Sequence, residues 1–161
     1  MDNLNFVAPC LFGVEGILAD ELKRMGIDGV VAENGRVLFT GDDNTLAKAN
    51  INSRFAERIL INVGEFTAET FTELFDNVKN LEWERFIGKD DAFPVNGWSL
   101  NSTLFSIPDC QSIIKKAIVE RLKSKYNVSW FNETGSEYRV RFSIMKNRVT
   151  MMIDTSGDGL H

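Results

Sequence analysis

The spacing of apolar residues changes period several times along the chain, and each change marks an element. Residues 5–8 (NFVA) form a short strand-type run, after which Val14, Ile17, Leu18, Leu22 and Met25 recur at three- and four-residue steps. That spacing predicts a helix ending at Gly26, because a glycine just past the last periodic residue takes the left-handed conformation that closes a helix. Two β-branched runs then flank Asn34-Gly35, the dipeptide favoured by a type I′ hairpin turn, in which both central residues need positive φ. Residues 42–57 read as a second helix with acidic residues at its start, and residues 58–66 (RILINVGEF) as a closing strand. The resulting order, strand, helix, strand, strand, helix, strand, is the ferredoxin-like arrangement.

Beyond Thr67 the pattern repeats in a different order. Phe71, Leu74, Phe75, Val78 and Leu81 fit a helix, residues 92–100 (AFPVNGWSL) a strand with an edge or kink at Pro94, and Ile114, Ala117, Ile118 and Leu122 the stripe of a helix opened by Pro108 and Asp109. Lys116, Glu120 and Lys123 fall on the opposite side of that helix. Residues 138–154 (YRVRFSIMKNRVTMMID) alternate in two runs around Lys146-Asn147. A two-residue turn there opposes Val140 to Ile153, Phe142 to Met151 and Ile144 to Val149, so one face is wholly apolar and the other carries Arg139, Arg141, Arg148 and Asp154. The fold class is α+β, in two domains at 1–65 and 66–154, the second ending in a β-hairpin.

Composition narrows the class further. With 43% hydrophobic and 25% charged residues, the 161-residue chain is an ordinary folded protein. No run approaches the roughly 18 apolar residues of a membrane helix, and the N-terminus lacks the basic and apolar regions of a signal peptide, which together indicate a cytoplasmic protein without a membrane partner. Cys10 and Cys110 have no neighbour of the metal-knuckle or C-x-x-C kind and read as reduced thiols. Net charge is -5, which argues against a chain devoted wholly to nucleic acid. The distribution qualifies this, since residues 112–161 hold 9 basic and 5 acidic residues whereas residues 65–111 hold 3 and 9. An acidic middle before a basic last third is compatible with a local phosphate contact.

The final stretch, MMIDTSGDGLH, suggests chemistry at first sight. Asp154, Ser156, Asp158 and Gly159 match the first half of a calcium loop, but such a loop leaves a helix and needs a later glutamate, whereas this one leaves a strand. A dinucleotide loop would need a following helix. The segment is better read as the chain's exit from the sheet, and His161 has no serine or cysteine constellation around it.

Five segments together carry a family resemblance: A-P-C-L-F-G-V-E-G-I-L-A-D-E-L near the start, I-N-S-R-F-A-E-R-I-L before Val63, L-N-S-T-L-F at 100–105, I-K-K-A-I-V at 114–119 and I-D-T-S-G-D-G-L-H at the end. In this order they resemble the N-terminal half of THUMP-containing RNA methyltransferases, and in particular the bacterial group that methylates guanine N2 of large-subunit ribosomal RNA. The resemblance implies a ferredoxin-like domain followed by a THUMP domain. It also implies a connector beginning at 155–161 and a catalytic domain that binds S-adenosylmethionine. Residues 1–161 contain no N-P-P-Y or D-P-P-Y segment and no glycine-rich loop of the cofactor-binding kind. The expectation is therefore a non-catalytic front end with no cofactor of its own, whose partners are structured ribosomal RNA and its own methyltransferase domain. The alternative is a structural or dimerisation module that positions the catalytic domain without touching RNA.

The resemblance places Lys115 at the lysine of the family's V-K-x-A-I segment and Asn101-Ser102 at its N-S-x-L segment. Two readings stand for these residues: a phosphate clamp across strand end and helix, or a loop-fixing role for Asn101 and Ser102, whose residue types favour turns. Arg139, Arg141 and Arg148 share a face and are candidates to track an RNA backbone, unless Arg139 pairs across the hairpin with Asp154. Arg54 and Arg58 are candidates for phosphate contact or for an interdomain anchor. Trp83, Trp98 and Trp130 are read as structural, since aromatic residues of small domains more often fill cores than stack bases.

Overall fold

A computed structural model describes residues 3–52, 58–127 and 135–154. Arg54, Trp130, His161 and the 155–161 exit lie outside the described residues, and so does the end expected for the second helix. Contacts divide the chain into two compact units, one of Met1–Asn62 joined by Asp154 and one centred on Val63–Ile153.

The first unit runs β1 (Leu4–Pro9), α1 (Glu15–Arg24), β2 (Asp28–Glu33), β3 (Arg36–Gly41), α2 (Asp43–Asn52) and the start of β4 (Leu60–Thr67). Its strand order is β2-β3-β1-β4, all antiparallel, the ferredoxin-like topology expected from the apolar spacing. Phe6 and Phe39 face each other across β1 and β3 and stack at 5.2 Å, and Leu18 and Leu22 of α1 are fully buried. Ile17, counted in the helix stripe, is half exposed instead. The expected cap of α1 is present: Gly26 sits at φ 80°, its N–H donates to Lys23 O, and the N–H of the buried Ile27 donates to Leu22 O.

The turn at Asn34-Gly35 differs from expectation. Only Gly35 has positive φ, 77°, so the turn is not type I′. The geometry follows from a tertiary clasp. The Glu15 carboxylate accepts from Gly13 N at 2.6 Å and Gly35 N at 2.8 Å, and Cys10 N donates to Gly35 O at 2.9 Å. These backbone donors, that of Gly35 foremost, hold the Glu15 carboxyl below its ordinary pKa.

The second unit contains the rest of β4, α3 (Phe71–Lys79), a 3₁₀ turn at Trp83–Arg85, β5 (Val95–Leu100), α4 (Ile107–Tyr126), β6 (Val140–Met145) and β7 (Arg148–Asp154). Its strand order is β4-β7-β6-β5. Strand β5 is parallel to β6, joined through α4, and β6 is antiparallel to β7. The hairpin register is the one the alternation predicts, with Val140 opposite Ile153, Phe142 opposite Met151 and Ile144 opposite Val149. Lys146 and Asn147 both have positive φ, 50° and 68°, so the type I′ turn occurs here, at the poorer dipeptide. These six hairpin residues and Cys110, Ile114, Ala117, Ile118 and Leu122 of α4 are all buried. Cys10 and Cys110 are both buried and form no disulfide, and burial raises the pKa of Cys110.

Helix α3 opens with a capping box: Thr70 Oγ1 accepts from Glu73 N at 3.1 Å, and the Glu73 carboxylate accepts from Thr70 N at 3.2 Å. Thr70→Ala removes one half of this exchange and is expected to cost about 1 kcal/mol in denaturant unfolding.

Candidate nucleic-acid interface

Helix α4 carries the first group of candidate residues. Its buried stripe turns Lys115 and Lys116 toward an open groove of about 430 Å³ that is also lined by Pro94, Val95, Gln111 and Ser112. Lys115 Nζ lies 3.8 Å from the centre of the Phe93 ring and donates to Phe93 O at 3.3 Å. A cation over an aromatic face is attracted by the ring quadrupole, so Lys115 is oriented before any ligand arrives. Lys116 lies beside it on the groove wall. Gln111 Nε2 donates to Asn96 Oδ1 at 3.0 Å, tying α4 to β5 at the groove wall.

The helix is anchored at its other end by a two-bond fork. Arg121 Nε and Nη2 donate to the two carboxylate oxygens of Glu84, each at 2.9 Å. The Arg121 guanidinium holds the Glu84 carboxyl below its usual pKa. Because the folded pKa is depressed, the stabilisation from this pair is complete above the unfolded carboxyl pKa and is lost as pH falls through the folded value. Glu84→Gln is therefore expected to cost about 1–2 kcal/mol at neutral pH. In pH-dependent unfolding, the variant and the parent should converge in acid.

The second group surrounds the end of β5. Asn101 has φ 51°, and Ser102 Oγ donates to Leu100 O at 2.9 Å while accepting from Asn147 N at 3.0 Å. Thr103 N donates to Asn147 Oδ1 at 2.8 Å. Ser102 thus fixes this loop to the 146–147 turn, the role that its residue type suggested beside the phosphate clamp.

The three hairpin arginines have different surroundings. Arg139 pairs with Glu137 at 3.1 Å, not with Asp154, and Arg148 pairs with Glu65 at 3.1 Å. Asp154 is buried and receives Arg58 at 3.4 Å, both within the first unit. Arg141 has no ion-pair partner among the described residues, and its Nε is shielded from solvent without a hydrogen-bond acceptor. The expected polar face is also less exposed than its composition suggests, because Thr150, Met152 and Asp154 are all buried.

The tryptophans divide likewise. Trp83 is fully buried, and its indole N–H donates to Val78 O at 2.8 Å. Trp98 is 48% exposed on β5 and is not core. Its exposure was hidden in the sequence because β5 lies at the end of the strand order, where one face is left without a helix, and the alternation of residues 95–100 does not say which.

A THUMP domain model matches residues 68–154, more than half of the chain, and an RlmL ferredoxin-like domain model matches residues 5–60. The chain belongs to the THUMP-domain family. Among relatives of this THUMP protein, YpsC of Bacillus subtilis, described as a candidate RNA methyltransferase, is 42% identical over the whole chain. The ribosomal RNA large subunit methyltransferase K/L of Psychromonas ingrahamii is 29% identical over 98% of it. The chain spans 42% and 21% of the lengths of these two proteins. Two solved structures share its fold closely. One, from Listeria monocytogenes and described as a predicted N6-adenine-specific DNA methylase, has a TM-score of 0.92 and 46% identity over 96% of this chain and 40% of its own. The other, SMU.472, described as a candidate methyltransferase complexed with SAH, has a TM-score of 0.91 and 40% identity over 96% of this chain and 42% of its own. No helix among the described residues of the THUMP protein is long and apolar enough to cross a membrane.

Proposed function

We propose that this chain binds structured RNA through its THUMP unit and orients it for an S-adenosylmethionine-dependent methyltransferase centre elsewhere in the full-length protein. The substrate is large-subunit ribosomal RNA, and the target is guanine N2. The observation that carries the reading is the α4 groove, where Lys115 is pre-oriented on Phe93 beside Lys116. Such cations neutralise phosphates and supply affinity, while the chemistry on the base belongs to a separate pocket. Asn101, Ser102, Arg139, Arg141 and Arg148 complete the proposed surface at the end of β5 and on the hairpin, with Arg54 as a further phosphate contact. Both domains, 1–65 and 66–154, form the RNA-binding front end, and the second carries most of the proposed contacts.

The described residues do not fit S-adenosylmethionine itself. Both glycine-bearing strand-to-helix turns are already capped from within: Gly13 N is taken by Glu15, and Asp42 N by Thr45 Oγ1, whose own N–H goes to Asp42. These amides are engaged within the chain.

A second reading, an interaction module, is favoured by Leu11 and Phe12 of the first unit, which are 68% and 79% exposed. Affinity for a folded ribosomal RNA fragment and for duplex DNA of equal length, measured across salt, separates the two. RNA binding predicts preference for the RNA and a log–log salt slope of about -2 to -4. No binding at low salt, together with self-association in sedimentation, would favour the interaction module.

A further inference from the structure

The sheet of the second unit has a face that the α4 groove does not use. Gly97 lies against Phe142: a Cβ added to Gly97 would meet Phe142 O at 2.2 Å and the Phe142 ring at 2.5 Å. Gly97 and Phe142 therefore share the buried face, and alternation puts Trp98 and Leu100 of β5 on the opposite one with Arg141, Ser143 and Met145 of β6. Trp98, Leu100 and Met145 are 48%, 50% and 41% exposed. Trp98 is directly opposite Ser143, a small residue, with Arg141 and Met145 one step to either side on the same face. No carboxylate occupies any of these five positions.

This set combines an accessible indole with a guanidinium that lacks a counter-ion among the described residues and whose Nε has no acceptor. Shielded donors in folded proteins are nearly always satisfied, and an unsatisfied one calls for an explanation. Unpaired nucleotides offer the complement, a π-face for the indole and phosphate oxygens for the guanidinium charge. A protein partner would account for the apolar residues but not for the cation left unbalanced among them.

Resting on the reading of the chain as an RNA binder, we infer that the Trp98 face is a stacking platform for an unpaired nucleotide, with Arg141 taking its phosphate. Duplex RNA engages the groove alone, and RNA with an unpaired segment engages both surfaces. The second unit therefore distinguishes a loop or end from a regular helix without reading base sequence.

The test uses the 161-residue chain with two probes, a single-stranded oligouridine and a blunt RNA hairpin with a minimal loop. Trp98→Leu is expected to weaken oligouridine binding about tenfold, within the range of one base–aromatic stack, and to leave the hairpin unaffected. Trp98→Phe keeps a stacking face and should restore most of the loss, which a fold defect would not allow. If Trp98→Leu binds oligouridine like the parent while Lys115→Glu weakens both probes, the platform is overturned and RNA binding stands. If the parent binds neither probe at low salt, RNA binding falls and the platform with it. If Trp98→Leu abolishes self-association with RNA affinity intact, the face is a protein interface and the platform is overturned.

Discussion

Replacing Trp83 with alanine is expected to destabilise the THUMP unit by about 3–5 kcal/mol, the usual range for truncating a buried aromatic side chain. Among the described residues Trp83 is the largest fully buried side chain, placed at the 3₁₀ turn between α3 and β5. Its loss opens a cavity among packed neighbours and breaks the indole hydrogen bond to Val78 O. The same carbonyl also accepts from Leu81 N at 3.2 Å, so it is not orphaned, and most of the cost is lost packing. Against a total domain stability of about 5–15 kcal/mol, this would leave a marginal fold. Denaturant titration checks it: Trp83→Phe should lose clearly less than Trp83→Ala, and an alanine variant within about 1 kcal/mol of the parent would contradict the burial assigned to this residue.

Reversing both groove lysines, Lys115→Glu with Lys116→Glu, is expected to lower affinity for structured RNA by about 10- to 100-fold at low salt and to flatten the salt slope by about 2. The change should be similar across RNA sequences, because phosphate contacts carry affinity rather than base identity. Lys115 also packs on Phe93, so Lys115→Met, which keeps an apolar stem without the charge, separates lost packing from lost electrostatics. Fluorescence anisotropy provides the measurement, and undiminished affinity in the double variant would remove the groove from the RNA-binding surface.

The spacing of apolar residues foretold most elements, since helices and strands bury one stripe or one face and that requirement is local. Ile114, Ala117, Ile118 and Leu122 marked the buried side of α4, and the 140–153 alternation marked the hairpin register. What depended on distant partners was hidden. The Asn34-Gly35 turn is set by Glu15, twenty residues from Gly35 in sequence, and a dipeptide preference cannot anticipate that clasp. Arg139, Arg141 and Arg148 look alike in a strand pattern, yet Glu137 and Glu65 pair with two of them and leave Arg141 without an ion pair among the described residues. The exposure of Trp98 depended on strand order, which requires knowing that β5 runs parallel to β6.

Ultraviolet cross-linking of the chain to a structured ribosomal RNA fragment, followed by mass spectrometry of the attached peptides, tests the central claim most directly. The account predicts cross-links concentrated in residues 93–116, spanning the groove and Trp98, and in the hairpin around Arg141. Cross-links confined to residues 3–52, or none at a salt concentration where RNA is bound, would contradict it.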